Sequence, residues 1–174
     1  FFVELERRAA ALSDVIFVQS REDWEEALRL RIAPPRLLVH IGNGVDPERF
    51  GRASHEAAAA LFRAEHGIES APVVGFVGRI VREKGAVDFV RAASVVKREA
   101  PNAKFVMVGA PLGSDRDSCL DEVMRLRDEL GLGADLILTG YRRDVPALLA
   151  SFDLFTLPSH REGMPRALLE AMAS

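Results

Sequence analysis

The feature that most constrains the fold is a regular alternation, from Pro72 onward, of short apolar runs with amphipathic segments. The four runs have the length of strands, are largely apolar and span residues 73–77, 104–108, 136–138 and 154–157. Strands that are apolar along their whole length are buried on both faces, as in a parallel sheet covered by helices on both sides. The alternation therefore predicts an α/β domain.

The segments between these runs have the spacing of helices, and together with the strands they predict a Rossmann-like sheet. Three helices are indicated by apolar residues on one face: Phe89, Ala93 and Val96; Leu120, Val123 and Met124; Val145, Leu148, Leu149 and Phe152. A last helix is expected from about Pro165, because proline suits a first helical turn. We expect the sheet to be unfinished where the chain ends.

The first part of the chain predicts a smaller set of elements. They are a helix through Leu5, a strand at 15–18, a helix at 21–30, a strand at 37–41 and an alanine-rich helix to about Phe62. Ser20 with Asp23 resembles a capping box for the second helix, and Ser54 is a candidate cap for the alanine-rich one. Gly42-Asn43-Gly44 suits a break with positive φ.

Residues 12–20 and 151–159 resemble each other, since each passes from a helix end through an aspartate and an apolar strand to a serine. A shared helix-to-strand transition explains this similarity. The alternative is that two related α/β domains occur in one parent protein, the first represented only by its tail.

Composition narrows the possible functions. Of 174 residues, 48% are hydrophobic and 28% charged, with a net charge of −3, which fits a globular enzyme and disfavours a nucleic-acid surface. Cys119 is the single cysteine, which favours a reducing, cytoplasmic location. No apolar stretch approaches the ~20 residues of a membrane span. The sequence opens Phe1-Phe2-Val3-Glu4 without a methionine and carries charges from Glu4 onward, so we expect no signal peptide and a chain that continues at both ends.

Ligands of open α/β sheets bind beyond the carboxyl ends of the strands, so the residues that follow each strand are the candidate site. They are Gly78-Arg79; Gly109 with Pro111 and Gly113; Gly140-Tyr141-Arg142; and Pro158 to Pro165. Glycines together with cations suit a phosphate-bearing ligand. Ordinary turn glycines with solvated charges are the alternative for any one of these turns.

Arg79 and Lys84 form a more specific pair. Arginine presents a planar fork to phosphate oxygens and lysine a compact charge, as a diphosphate requires. Glu83 beside Lys84 could instead neutralise it. Gly163 and Met164 precede the last helix, whose free N–H groups favour an anion.

Glu162 and Glu170 are the candidate hydroxyl-binding carboxylates. Glu162 lies in the loop before the last helix, and Glu170 lies more than a turn inside it. A carboxylate accepts hydrogen bonds from two hydroxyls without bringing a competing donor. A solvent-facing position is the alternative for Glu170.

The sequence lacks the motifs of several other kinds of active site. The histidines at 40, 55, 66 and 160 form no metal-ligand spacing. Serine-nucleophile signatures and the phosphate loop of nucleotide hydrolases are absent as well.

Read together, these residues resemble the carboxyl-terminal domain of family 4 glycosyltransferases, which are retaining enzymes of the two-domain GT-B type. The resemblance rests on Asn43-Gly44-Val45-Asp46 with Phe50, Val77-Gly78-Arg79, Glu83-Lys84-Gly85, Thr139-Gly140-Tyr141, Asp153 to Ser159, Glu162-Gly163-Met164-Pro165 and Leu169-Glu170-Ala171-Met172-Ala173. It implies that residues 1–43 are the tail of an amino-terminal acceptor-side domain with the crossing segment. Residues 44–174 would then be an incomplete nucleotide-sugar-binding domain.

The resemblance also implies roles for the site residues. Gly78, Arg79 and Lys84 would lie at the donor diphosphate, Tyr141 and Arg142 would border the base, and Gly163 and Met164 would offer N–H groups. Glu162 would act at the transferred sugar and Glu170 at the ribose.

The implied reaction is transfer of a hexose from a UDP-sugar or GDP-sugar to a carbohydrate or lipid-linked acceptor, without a required metal or other cofactor. The missing amino-terminal domain could provide peripheral membrane contact, and the fragment is expected to be inactive alone. Two alternatives stay open, a sugar-nucleotide epimerase of the same architecture and a non-catalytic nucleotide-sugar-binding module.

Overall fold

The computed structural model describes residues 1–68 and 70–174. The helices are α1 (Phe2–Ala10), α2 (Arg21–Arg29), α3 (Pro47–Phe50), α4 (Glu56–Glu65), α5 (Ala86–Glu99), α6 (Leu120–Glu129), α7 (Val145–Ala150) and α8 (Arg166–Ala173). The strands are β1 (Ile16–Val18), β2 (Leu38–His40), β3 (Val73–Val77), β4 (Lys104–Val108), β5 (Leu136–Gly140) and β6 (Leu154–Phe155). They form two compact units: Phe1–Gly44 with Glu162–Arg166, and Val45–Arg161 with Ala167–Ser174.

The first unit is built on the parallel pair β1–β2, in which Ile16 lies opposite Leu38. Its small core contains Ala10 of α1, Ala27 of α2 and Leu38. The predicted cap of α2 is confirmed, since the Ser20 hydroxyl oxygen accepts a hydrogen bond from the Asp23 backbone N–H at 3.0 Å. Ser20 in turn donates its own proton to the Asp23 carboxylate at 2.7 Å.

The second unit contains a four-stranded sheet in the order β5-β4-β3-β6. All three strand pairs are parallel. This arrangement confirms the predicted α/β fold with a parallel sheet. Both predicted five-residue strands, Val73–Val77 and Lys104–Val108, have the expected bounds.

Helices cover both faces of this sheet. Successive side chains of a strand point to opposite faces, so these apolar strands present apolar side chains on both sides. On one face, Phe76 and Phe105 pack with Phe89 of α5. The other face packs into a second hydrophobic cluster, which includes Val73 and Leu148 of α7. Continuous apolar strands are therefore explained by burial on two sides.

Some predicted boundaries are wrong. Ser54 is not the cap of α4, because residues 52–55 form a 3₁₀ turn in which the Ser54 N–H donates to the Gly51 carbonyl at 3.1 Å. The helix begins at Glu56 and continues to Glu65. Val96 is 39% exposed and does not share the buried face of α5. Helix α7 ends before Phe152, and Phe152 is buried where its ring lies against Gly75.

The final strand and helix differ slightly from expectation. β6 covers Leu154–Phe155 rather than 154–157, although the Thr156 N–H still donates to the Gly75 carbonyl at 2.9 Å. Helix α8 begins at Arg166, one residue after the expected Pro165. Among the described residues, no helix combines the length and apolar character required to cross a bilayer.

Candidate functional site

The carboxyl ends of the parallel strands meet at one edge of the larger sheet, and backbone hydrogen bonds continue past the strands there. The Gly78 N–H donates to the Val108 carbonyl at 2.9 Å. The Gly109 N–H donates to the Gly140 carbonyl at 2.9 Å. The residues that follow β3, β4 and β5 are therefore held side by side.

These residues line a cavity of about 270 Å³. Its lining residues are Val77, Gly78, Arg79, Val108, Gly109, Ala110, Leu112, Tyr141, Arg142 and Val145. Four of the residues predicted from the sequence, Gly78, Arg79, Tyr141 and Arg142, thus come together at one place. The Tyr141 side chain is largely exposed, so its ring is accessible at the cavity rim.

The floor of this cavity is made of main chain. Gly109 has φ +137°, and a Cβ atom on it would overlap the Gly78 carbonyl. Only glycine combines this backbone conformation with so close an approach. The two strand-end turns therefore pack backbone against backbone, without a side chain between them.

Arg79 has a partner that the sequence did not predict. Its Nη1 donates to Oδ1 of Asp115, in the loop between β4 and α6. The other carboxylate oxygen, Oδ2, accepts from the Leu112 backbone N–H at 2.7 Å. The Asp115 side chain is 6% exposed and that of Arg79 is 42% exposed. The sequence signal was limited to two aspartates, Asp115 and Asp117, in the loop that follows the second of the four predicted strands.

Arg142 is also held by an aspartate. Its Nε donates to Asp144 Oδ1 at 2.8 Å and its Nη2 to Oδ2 at 2.5 Å, which is a bidentate pair. The side-chain hydrogen bonds of this pair raise the pKa of Arg142 and lower the pKa of Asp144. The guanidinium is thereby fixed in one orientation at the cavity wall.

Lys84 ends a 3₁₀ turn, Arg82–Lys84, that leads directly into α5. Gly85 follows with φ +71°, and a Cβ atom there would overlap the Pro158 carbonyl. The turn carrying the half-buried Lys84 is thus in contact with the loop that follows β6.

His160 and Arg161, to which the sequence assigned no role, connect this loop to Glu83 and Asp88. The His160 N–H donates to the Glu83 carbonyl at 2.9 Å, and its ring Nε2 lies 3.0 Å from the Asp88 carboxylate. Arg161 pairs with the Glu83 carboxylate at 3.1 Å. Glu83, which the sequence offered as a counter-charge for Lys84, therefore has Arg161 as a partner.

Glu162, Gly163 and Met164 belong to the first unit. A Cβ atom on Gly163 would lie 3.3 Å from Asp23 Oδ2. The Met164 carbonyl accepts from the Asn43 side-chain amide at 3.4 Å.

Glu170 lies on α8, among the residues of the second unit, and is half-buried. The position of Glu170 inside a helix and of Glu162 before it agrees with the elements expected from the sequence. Across residues 1–68 and 70–174, no group of three or more histidine, cysteine, aspartate or glutamate side chains is placed to hold a metal ion.

A parallel sheet with a glycine-floored, arginine-lined cavity at its carboxyl edge defines an α/β protein whose cavity lies where ligands of open α/β sheets bind. Residues 58–174 match the family described as glycosyl transferases group 1. The chain belongs to this family.

Individual relatives of this chain are also named as glycosyltransferases. Over 173 residues the chain is 31% identical to the UDP-Gal:alpha-D-GlcNAc-diphosphoundecaprenol alpha-1,3-galactosyltransferase of Escherichia coli, covering 98% of this chain and 43% of the relative. It is 29% identical to the alpha-D-kanosaminyltransferase of Streptomyces kanamyceticus, covering 95% of this chain and 41% of that protein. The chain therefore spans less than half the length of these curated relatives.

A solved structure shares the fold across nearly the whole chain. Anabaena HepE in complex with UDP-glucose superimposes with a TM-score of 0.84 at 23% identity, covering 99% of this chain and 47% of that one. The structural neighbours include GT-B glycosyltransferases, which agrees with the predicted fold class.

Proposed function

We propose that the protein carrying this chain is a retaining family 4 hexosyltransferase, and that this chain supplies most of its nucleotide-sugar-binding side. The observation that carries the proposal is the cavity at the carboxyl edge, where Arg79 adjoins the glycine floor in a member of the group 1 family. The donor is a UDP-sugar rather than a GDP-sugar. Support comes from the UDP-Gal donor named for the Escherichia coli relative and from the UDP-glucose bound to HepE.

The proposed donor contacts divide into two groups. Arg79 and Lys84 hold the diphosphate, because fixed cations replace the water that solvates it. Gly78 lines the cavity next to Arg79, so its backbone borders the phosphates. Tyr141 and Arg142 border the base from the cavity rim. In this assignment the cavity receives the nucleoside end of the donor and Arg79 marks its junction with the phosphates.

The remaining roles rest on the family resemblance. Gly163 and Met164 offer backbone N–H groups at the start of α8, where a helix terminus favours negative charge. Glu162 contacts hydroxyls of the transferred sugar, and Glu170 contacts the ribose hydroxyls. As the glycosidic bond breaks, the cations and the helix terminus stabilise the charge that develops on the leaving diphosphate. Transfer needs no metal ion or other cofactor in this scheme.

The proposed division of the chain follows the same assignment. Residues 1–43 are the tail of an acceptor-side domain, and residues 44–174 are the donor-binding domain. The acceptor is a carbohydrate or a lipid-linked sugar, as in the diphosphoundecaprenol substrate named for the Escherichia coli relative. The enzyme is cytoplasmic, with peripheral membrane contact through the amino-terminal domain, and the 174-residue chain alone does not turn over.

Calorimetric titration of the full-length protein with UDP and with GDP tests the donor assignment. We expect UDP to bind and GDP to bind at least tenfold more weakly. Failure to bind either diphosphate would overturn the proposal. Product analysis then separates the possible reactions. An epimerase changes the sugar with donor alone, a transferase gives a glycoside only when acceptor is added, and a binding module gives neither product.

A further inference from the structure

We propose that Asp115 is a positioning residue that orients Arg79 toward the donor diphosphate. The inference rests on the proposed function, since it assigns Asp115 to the same site. Asp115 is outside the set of residues to which the family resemblance gives a role. Three features of the structure support it: its burial, the two hydrogen bonds of its carboxylate and the anchoring of its loop.

The carboxylate of Asp115 is fixed at both oxygens. Oδ1 accepts from Arg79, and Oδ2 accepts from the Leu112 N–H at 2.7 Å. The Asp115 N–H donates in turn to the Leu112 carbonyl at 3.0 Å, which closes a tight turn around the side chain. With 6% of its side chain exposed, Asp115 has little freedom to leave this arrangement.

The loop that carries Asp115 is itself anchored to the segment that follows Arg79. The Cys119 N–H donates to the Ile80 carbonyl at 3.2 Å, and Val81 forms an isolated bridge with Ser118. The Arg82 N–H donates to the Asp117 carbonyl at 3.1 Å. Asp115 is therefore presented to Arg79 from a fixed base.

An arginine side chain loses considerable rotamer freedom when it is ordered, and this cost falls on ligand binding if the free protein leaves the side chain mobile. Asp115 binds one edge of the Arg79 guanidinium and so orders it before the ligand arrives. Arginine carries further N–H donors in a rigid fork, and Arg79 is 42% exposed at the cavity. The remaining donors can therefore meet a phosphate while the pair stays intact.

The substitution Asp115→Asn distinguishes an orienting role of Asp115 from an effect of its charge. Both partners of the carboxylate are N–H donors, so an amide can satisfy one of them but presents its NH₂ group to the other. If Asp115 only weakened the field of Arg79, removing its charge would tighten diphosphate binding. If it orients Arg79, the same change weakens binding.

The test is a double-mutant cycle in the full-length protein with Asp115→Asn, Arg79→Ala and the double variant, titrated with UDP and uridine. We expect Asp115→Asn to weaken UDP binding by about five- to twentyfold and uridine binding by less than about twofold. In the Arg79→Ala background the same change should alter UDP binding by less than about twofold, since coupled residues are not additive. Asp121→Asn, which removes an exposed carboxylate in the first turn of α6, is the control and should leave UDP binding unchanged.

Thermal melting shows that each variant is folded before its affinity is compared. Equal losses of UDP affinity in the parent and Arg79→Ala backgrounds would overturn the inference, and so would tighter UDP binding by Asp115→Asn. In both cases UDP still binds the parent, so the proposed function survives. A parent that binds no diphosphate overturns the proposed function and the role of Asp115 with it.

Discussion

The carbonyl oxygen of Pro158 occupies the space that a Cβ atom on Gly85 would need. Gly85 also has φ +71°, in the left-handed region that side chains disfavour. This one contact joins the turn before α5 to the loop after β6, and Glu162 follows that loop in the chain. The hydrogen bond from the His160 N–H to the Glu83 carbonyl, at 2.9 Å, lies beside it.

We predict that Gly85→Ala destabilises the fold by more than about 1 kcal/mol, because backbone strain and overlap with a carbonyl act together. Urea denaturation monitored by circular dichroism measures the change. Gly113→Ala is the matched control, since Gly113 has no strained φ and no atom within 4 Å of its Cβ position. Equal stability of the two variants would contradict the close approach at Gly85.

Asp153 contributes to stability through the backbone of a neighbouring strand. Its Oδ2 accepts from the Val73 N–H at 2.8 Å and from Arg63 Nη2 at 2.5 Å. Asp153→Ala should lower the free energy of unfolding by ~1.5–3 kcal/mol, as expected for hydrogen bonds to a charged group. Asp128→Ala, at an exposed position of α6, should change it by less than about 0.5 kcal/mol. Urea denaturation of both variants checks the difference.

The environment of Asp135 leads us to predict that the free energy of unfolding falls in acid. Burial alone would raise its pKa, but hydrogen bonds from Lys104 at 2.6 Å and Lys97 at 2.7 Å outweigh burial and lower it below 3.8. The unfolded chain therefore takes up this proton at a higher pH than the folded protein. The stabilisation is complete well above 3.8 and is lost as the pH falls through the folded value.

The measurement for Asp135 is the free energy of unfolding of the parent and of Asp135→Asn at several pH values. The parent should be the more stable protein at pH 7, and the difference should shrink as the pH falls below about 4. A difference that stays constant down to acid pH would show that the lysine contacts do not affect this carboxyl group.

Glu162 and Glu170 are predicted to act on different parts of the donor. In the full-length protein, Glu162→Gln should leave UDP binding nearly unchanged while lowering sugar transfer, because UDP contains no sugar to be transferred. Glu170→Gln should reduce the preference for ribose over deoxyribose, because an amide presents a donor where a carboxylate offered only acceptors.

Titration with UDP and deoxy-UDP, together with a transfer assay, measures both effects. Loss of UDP binding in Glu162→Gln would contradict the division between these carboxylates. An unchanged ribose preference in Glu170→Gln would contradict it as well.

The larger sheet could be predicted because the apolar residues of its strands indicate directly that the strands are buried. Val73–Val77 is apolar throughout and Lys104–Val108 is apolar after its first residue, and both of their faces are covered. The gathering of Arg79 and Tyr141 at one edge followed from parallel strand direction alone. These predictions needed only periodicity and the general placement of ligand sites in α/β sheets.

Contacts between distant loops could not be predicted in the same way. Asp115 meets Arg79 across 36 positions of sequence, and Arg161 meets Glu83 across 78. Neither pair has a local pattern, since its geometry depends on the docking of whole loops. Ser54 shows that a local pattern can also mislead. Its position predicted a helix cap, but residues 52–55 form a 3₁₀ turn instead.

The contact between Gly78 and Gly109 separates two tasks within one cavity. At Gly109 its floor is peptide backbone with no room for a side chain, whereas Leu112 and Tyr141 at the wall are exposed. Evolution can therefore exchange the wall residues, and with them the ligand that the cavity prefers, while the floor stays as it is. In such a cavity, ligand preference can diverge faster than the architecture that holds the ligand.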